Sequence, residues 1–267
     1  STGYNNINGH DNIYIGNSAG YTNTYTYNTI IGSDAGKNSD AGFNTFMGTY
    51  AGEYDKGGYN TYIGVGAARY NETGSGNVYV GGRAGFWGLE GAQNVVIGYG
   101  AGELNMVDTI GLGNRNIIIG YDAADTQVGM SNTLWIESSN SNPPLIYGNF
   151  MNDSVIINGD FHVEGNITAS GTIVPDYVFE KDYQLETIEE HAIFMWTNKH
   201  LPALKSAAQI KEEGRIKLNE RREQILEEQQ KAHIYIEQLH ERIKEIEKEN
   251  QKIKETINWI TNTIESK

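Results

Sequence analysis

The chain contains no cysteine, which rules out disulfides and thiolate metal sites and leaves the redox compartment open. It has only 4 prolines, and Pro143, Pro144 and Pro175 all fall between residues 140 and 180. No apolar run approaches the about eighteen residues that a membrane span needs, so no membrane insertion is expected. A basic patch is missing too: 20 Lys and Arg stand against 34 Asp and Glu, a net charge of −14 with a pI near 4.8. Nucleic-acid binding needs a cationic surface and is not expected, whereas acidity of this kind serves solubility. There is no signal peptide, and a chain starting at Ser1 reads as a processed product or a piece of a longer protein.

What is present is unevenly spread. Of 32 glycines only Gly214 lies beyond Gly171, so the chain is made of two materials. The first half is rich in Gly, Asn, Tyr and Thr, which suit turns and short strands. The last third is rich in Glu, Lys, Gln and Ile, which suit helix. The composition shift and the prolines put a boundary between residues 140 and 180.

The glycine-rich half repeats itself. Asn12, Asn28, Asn44, Asn60, Asn77, Asn94, Asn116 and Asn132 follow one another at spacings of 16, 16, 16, 17, 17, 22 and 16 residues. Three positions after each Asn stand Ile15, Ile31, Met47, Ile63, Val80, Ile97, Ile119 and Trp135. Glycine follows in seven of the eight copies, and Ala19, Ala35, Ala51, Ala67, Ala84, Ala101 and Ala123 lie seven positions after the Asn. Such a period is too short for a helix-containing unit and predicts a solenoid coil of two short strands and two turns. Side chains alternate along a strand, and the position before the Ile column is also apolar: Tyr14, Ile30, Phe46, Tyr62, Tyr79, Val96, Ile118 and Leu134. One column fills the interior; the other leaves an outer apolar stripe that asks for a partner. Eight coils would stack into a column roughly 40 Å tall. The Asn column is expected to satisfy turn backbone groups from coil to coil rather than to hold metal or sugar.

At the far end, two interleaved series step by seven. Leu218, Ile225, Ala232, Leu239, Ile246, Ile253 and Ile260 form one; Arg222, Gln229, Ile236, Ile243, Asn250, Ile257 and Ile264 form the other. This is a coiled-coil heptad pattern, and Ile at both core positions favours three strands over two, with Asn250 as a register device. Between column and rod, "VIINGDFHVEGNITASG" alternates Phe161, Val163 and Ile167 with polar residues and glycine, as in an intertwined β-stalk. Thr187 with Glu190, and Ser206 with Gln209, have the spacing of helix capping boxes, and Gly214 can end the second short helix. The expected organisation is a repeat head over 1–140, a β-stalk over 141–174, a neck with short helices over 175–214 and a trimeric coiled coil over 215–267.

The "NTxxIGxxAG" coils resemble the left-handed parallel β-roll heads of trimeric autotransporter adhesins, and similar repeats occur in phage tail fibres. The stretch from "NTLWIESSNSNPPLIYGNF" through "NGDFHVEGNITASG" to the neck and heptads resembles the C-terminal part of phage tail-fibre proteins. The resemblance implies a mainly β fold with α: a homotrimeric left-handed parallel β-roll head, a β-stalk and a C-terminal trimeric coiled coil. It implies a receptor-binding fibre end, located in a virion tail fibre or outside the cell. Its partners would be other fibre or tail components and a bacterial surface glycan or surface protein. A bacterial extracellular adhesin is the alternative. Autotransporters end in a membrane β-barrel, and this sequence ends in heptads. The "SDxRLK"-like motif of self-cleaving fibre chaperones is missing, so self-cleavage is not expected.

No catalytic, cofactor or metal constellation is legible. His10, His162, His191, His200, His233 and His240 lack metal-ligand spacing, although His162 near a threefold axis would present three imidazoles. A fibre-borne polysaccharide depolymerase is the third reading, with Glu53 and Asp55, or Asp122 and Asp125, as carboxylate pairs against the plainer view that these acids are simply solvated. Variation between coils is concentrated in residues 21–27, 53–59, 69–76, 86–93 and 103–115, where solenoids carry function. Tyr25, Tyr54, Tyr70, Phe86 and Trp87 are the candidate receptor-binding residues, either offering flat faces to a ligand or packing against a neighbouring chain. Trp87 heads the list as an aromatic in a glycine-rich turn with no evident local packing need.

Overall fold

The computed structural model describes residues 1–104, 111–167, 174–214 and 216–265, with side chains described as far as Thr263. Part of the 103–115 segment, the stalk residues 168–173 and the Ile264 side chain therefore lie outside the described residues. The chain divides into two compact units, Ser1–His162 and Val163–Lys267.

The first unit is a parallel β-solenoid of about seven turns. Each coil contributes one strand: β1 Ile13–Ile15, β2 Thr29–Ile31, β3 Thr45–Met47, β4 Thr61–Ile63, β5 Val78–Val80, β6 Val95–Ile97, β7 Ile117–Ile119 and β8 Thr133–Ile136. They pair in sequence order as one parallel ladder. The expected second strand of each coil is absent among the described residues, and turns take its place. The reason is local: past each strand from β1 to β7 the backbone enters positive φ three times within five residues, as at Gly16, Ser18 and Gly20 or Gly32, Asp34 and Gly36, which breaks any extended run. Those turns still bond from coil to coil, with Gly20 N donating to Ala35 O and Gly36 N to Ala51 O, both at 2.9 Å.

Three columns define the coil. The middle strand residues Ile30, Phe46, Tyr62, Tyr79, Val96 and Ile118 point inward and are fully buried, as is the alanine column from Ala19 to Ala123. The flanking Ile15, Met47, Ile63 and Ile97 face outward and are exposed, so the outer apolar stripe exists. The glycine that ends each strand, Gly16 through Gly120, has φ between +126° and +142°. A Cβ on Gly32 would lie 2.5 Å from the carbonyl oxygen of Gly48 in the next coil, so both conformation and stacking distance require glycine there.

The asparagine column is a ladder of paired bonds. Oδ1 of Asn12, Asn28, Asn44, Asn60, Asn77 and Asn94 accepts from the backbone N–H of the next Asn at 2.8–3.0 Å. The amide nitrogens reach turn carbonyls, as Asn60 Nδ2 to Gly74 O and Asn77 Nδ2 to Gly91 O, each at 2.8 Å. At the last rung the expected register is wrong by one residue. Thr133, not Asn132, continues the column, its N–H and Oγ1 both donating to Asn116 Oδ1 at 3.1 and 2.8 Å. Trp135 therefore pairs with Ile118 and turns inward, while Leu134 pairs with Ile117 on the outer side. The Asn-Thr dipeptide misleads because it copies the repeat's opening, whereas the large apolar residue buried in the inner column is Trp135.

The sheet does not stop near residue 140. β9, Ile146–Asn149, returns antiparallel against β8, and β10, Ser154–Ile157, pairs antiparallel with β9. The first part of the expected stalk is thus a hairpin that extends the solenoid's own sheet; Phe161 and Ile167 beyond it are exposed.

In the second unit both capping boxes form. Thr187 caps α1, Ile188–Asn198, and Ser206 caps α2, Ala207–Glu213, which ends at Gly214 with φ +66°. A 3₁₀ turn over Asp176–Phe179 precedes them, and α3, Leu218–Glu265, is one unbroken helix of 48 residues. The neck packs on one face of α3 within the same chain. Tyr177 and Tyr183 donate to Glu227 at 2.8 and 3.0 Å, Ala203 N donates to Glu228 at 2.6 Å, and Tyr235 donates to Glu186 O at 2.9 Å. None of Glu227, Glu228, Lys231 and Tyr235 belongs to either heptad series. Ile243, Ile246, Ile253, Ile257 and Ile260, which do, stay 44–55% exposed.

Replacing Asn77 by Ala should destabilise the solenoid by about 2–5 kcal/mol, because the Asn94 N–H and the Gly91 carbonyl both lose a buried partner. Asn12→Ala, at the solvent-reached end of the ladder, should cost under about 1 kcal/mol. Denaturant unfolding of the two variants measures the contrast, and equal effects would remove the ladder from the account of stability.

Candidate functional site

Four of the five candidate aromatics come together. Tyr54, Tyr70 and Trp87 occupy one column, their backbone N–H groups donating to the carbonyls of Arg69, Phe86 and Glu103 at 3.0, 3.0 and 3.1 Å. Their rings stack: Tyr54 on Tyr70 with centroids 5.2 Å apart at 8°, Tyr70 on Trp87 at 4.0 Å and 3°. Phe86 stands edge-on to both Tyr70 and Trp87. The Arg69 guanidinium lies over Tyr50 at 4.3 Å and near Tyr70 at 5.2 Å, and its Nε donates to Glu53 at 2.6 Å. Tyr25 lies elsewhere, exposed, with its ring stacked on no aromatic among the described residues.

This arrangement corrects the premise behind Trp87. Its face is covered by Tyr70 and it packs against the apolar core, so it has a clear packing role. Stacked rings give up their flat faces to each other and present edges to solvent; each such pair contributes about 0.5–1.5 kcal/mol beyond area burial. The signal was in the sequence: Tyr54, Tyr70 and Trp87 each lie ten residues after an Asn of the ladder.

A second aromatic column was not anticipated. Tyr27, Phe43 and Tyr59 stack at 5.0 and 4.7 Å, with His10 edge-on at the foot, and all three rings are exposed. Each directly precedes an Asn of the ladder and has φ between +62° and +64°. That conformation is costly for bulky residues and is held here by the stack and the coil-to-coil bonds.

The carboxylate pairs separate in character. Glu53 and Asp55 are not solvated: both are buried, Glu53 paired with Arg69 and Asp55 with no cation among the described residues. Asp55 receives bonds from Asn71 Nδ2 at 2.7 Å, Asn60 Nδ2 at 3.1 Å and the Tyr62 hydroxyl at 3.2 Å. Burial pushes its pKa well above the ordinary carboxylate value. Two coils away Asn23 likewise takes a tyrosine hydroxyl, from Tyr14, and an Asn amide, from Asn28 Nδ2, together with the Tyr25 backbone N–H, all through one neutral amide oxygen. Asp122 and Asp125 instead line a cleft of about 270 Å³ with Glu103 and Arg83, which pair with each other. Burial raises the pKa values of Glu103 and Asp125, and Asp122 adds to the second. Among the described residues no group of three or more His, Cys, Asp or Glu is placed to hold a metal ion, and His162 is simply exposed.

Two expectations follow. Because the folded pKa of Asp55 is raised, the stability it contributes is fully present below its unfolded value of about 3.9 and is lost as pH rises through the folded value. Asp55→Asn should therefore melt above the parent at pH 7, with the gap closing toward pH 4; a gap independent of pH would show that the acid is ionised in the fold. Trp87→Ala should lower unfolding free energy by about 2–3 kcal/mol and Tyr25→Ala by no more than about 0.5 kcal/mol, as measured by denaturant titration.

Comparison with protein-family models, curated proteins and solved structures finds no match to this chain, so the functional argument rests on the geometry alone.

Proposed function

We propose that the chain is one third of a homotrimeric fibre end that attaches a particle to a cell surface, in the manner of a phage or phage-like tail fibre. The observation that carries the reading is that each unit leaves a continuous apolar seam uncovered. In the solenoid it is the outer strand column of Ile15, Met47, Ile63 and Ile97; in α3 it is the two heptad series. Exposed stripes of this length are what a soluble chain buries against copies of itself, and Ile at both core positions favours three. The left-handed roll and the intertwined stalk belong to the same proposal.

Attachment is supported by the division of labour within the coil. Asn, Gly and Ala columns hold the stack, whereas the segments between them differ from coil to coil, and the exposed edges and clefts they form are where recognition can vary. The remaining partners would be other fibre components and a bacterial surface glycan or protein.

Light scattering at low micromolar concentration should give a mass three times the 29.6 kDa of the chain. A folded monomer or dimer would sink the architecture. Ile243→Asp with Ile253→Asp should lower the melting temperature of the trimer markedly, since an unpaired buried carboxylate costs several kcal/mol and threefold symmetry repeats it. Fluorescently labelled chain should bind intact cells of a susceptible bacterium, and failure across a broad panel of bacteria would count against attachment.

A further inference from the structure

The column aromatics stack face to face, but one aromatic pair outside the columns does not. Across the antiparallel join of β8 and β9, Trp135 is the register partner of Tyr147, and the two rings meet edge to face with centroids 6.0 Å apart at 88°. In that geometry only one ring gives up a face. Both rings line a cleft of about 380 Å³, together with Pro143 and the side-chain amides of Gln127, Asn142 and Asn158. The volume falls within the range of about 300–1,000 Å³ in which small-ligand sites lie.

Three features narrow the occupant. First, none of the lining residues is charged, so a charged ligand finds no counter-ion there. Second, Trp135 is only 4% exposed and its indole Nε1–H is buried without an acceptor among the described residues. An unpaired buried donor is costly, and an acceptor brought by a ligand removes the cost. Third, Asn158 Nδ2 is already engaged with the Pro144 carbonyl at 2.6 Å, which fixes that wall and leaves its side-chain oxygen as an acceptor. A hydrocarbon ligand would desolvate the three amides without replacing their bonds and would leave the buried indole N–H unpaired. A sugar ring has C–H faces for the aromatic walls and hydroxyls that both donate and accept.

We propose that this cleft binds a neutral saccharide unit. Its biological sense rests on the attachment reading above, but its chemistry and its test do not.

The test uses the full chain with Trp87, Trp196 and Trp259 replaced by Phe, which leaves Trp135 as the sole indole of the 4 present. The probes are lactose, maltose and diacetylchitobiose, with glucuronic acid as the charged control. At least one neutral disaccharide should shift the Trp135 emission saturably in the millimolar range and protect it from acrylamide. Gln127→Ala should weaken that binding about fivefold, the loss of one neutral hydrogen bond. Saturation-transfer NMR of the same sugars with the unsubstituted chain gives the same reading should the Trp-to-Phe changes disturb folding. No response to any neutral probe, an equal response to glucuronic acid, or a Trp135 already shielded by another copy of the chain in the folded assembly would overturn the proposal. Sugar binding without cell binding would keep it and overturn attachment, and cell binding without a sugar response would do the reverse.

Discussion

One side-chain amide per coil holds the solenoid in register. Each strand from β1 to β7 is only three residues long, too short to fix its own pairing, and the rest of the coil is turn. The Asn amide supplies what the strand cannot: its oxygen takes the next coil's N–H while its nitrogen takes a turn carbonyl, both away from water. With the rise between coils fixed in this way, Gly32 can approach Gly48, the alanines can close the narrow side, and Phe46 can stack on Tyr62 and Tyr62 on Tyr79 in the interior. In a quasi-one-dimensional array each coil depends on its neighbours, so a missing rung weakens both coils that it joins. The ladder also explains where the array stops. Thr133 accepts the role of receiving end, donating twice to Asn116, but it has no amide to pass on, and the chain beyond it turns back antiparallel instead of adding another coil.

The columns were legible because each is dictated by one steric or hydrogen-bonding demand repeated at a nearly fixed period. Ala35, Asn44 and Gly48 could be assigned from spacing alone, and so could the capping residues Thr187, Ser206 and Gly214, whose demands are local; which of the two apolar columns, that of Ile30 or that of Ile31, faces inward could not. What was not legible depended on neighbours in the next coil. Residues 53–59, 69–76 and 86–93 differ in length and composition and read as free loops. In space, the coil-to-coil backbone bonds carry Tyr54, Tyr70 and Trp87 into one stack. The same limit applies to Asp55: nothing in the sequence distinguishes a buried acid surrounded by Asn60, Tyr62 and Asn71 from a solvated one. At Thr133 the asparagine spacing pointed to a register one residue off, because Asn132 copies the repeat's opening while Trp135 pairs with Ile118.

In the second unit, a polar contact decides which apolar face is left open. Lys231 is buried among Glu186, Glu227 and Glu228, at 3.3, 3.3 and 3.7 Å. Buried ion pairs add little net stability because desolvation offsets attraction, but a mispaired alternative is heavily penalised. The cluster therefore acts on orientation: it fixes the rotation of α3 against the neck, so that Arg222, Ile225, Gln229 and Ala232 remain uncovered in the same stretch where Glu228, Lys231 and Tyr235 are buried. A seam that begins beside the neck and runs on through Ile260 is then presented whole.

Regularity has a consequence for where small ligands can sit. A solenoid whose coils repeat closely has each side chain stacked on its equivalent one coil away, and stacked rows make ridges rather than hollows. A concavity needs a break in the period. The Asp122 and Asp125 cleft lies at the coil lengthened to a spacing of 22 residues, and the Trp135 cleft lies where the parallel ladder ends and β9 reverses. The first is walled by acids and one arginine, the second by rings and amides, so the two breaks differ in the chemistry they can hold. Tyr27, Phe43 and Tyr59, lying where the period is most regular, can offer a partner an edge-on apolar rail but not an enclosed site. Departures from the repeat, more than exposed aromatics as such, are therefore where specificity toward a small ligand can be built on this frame.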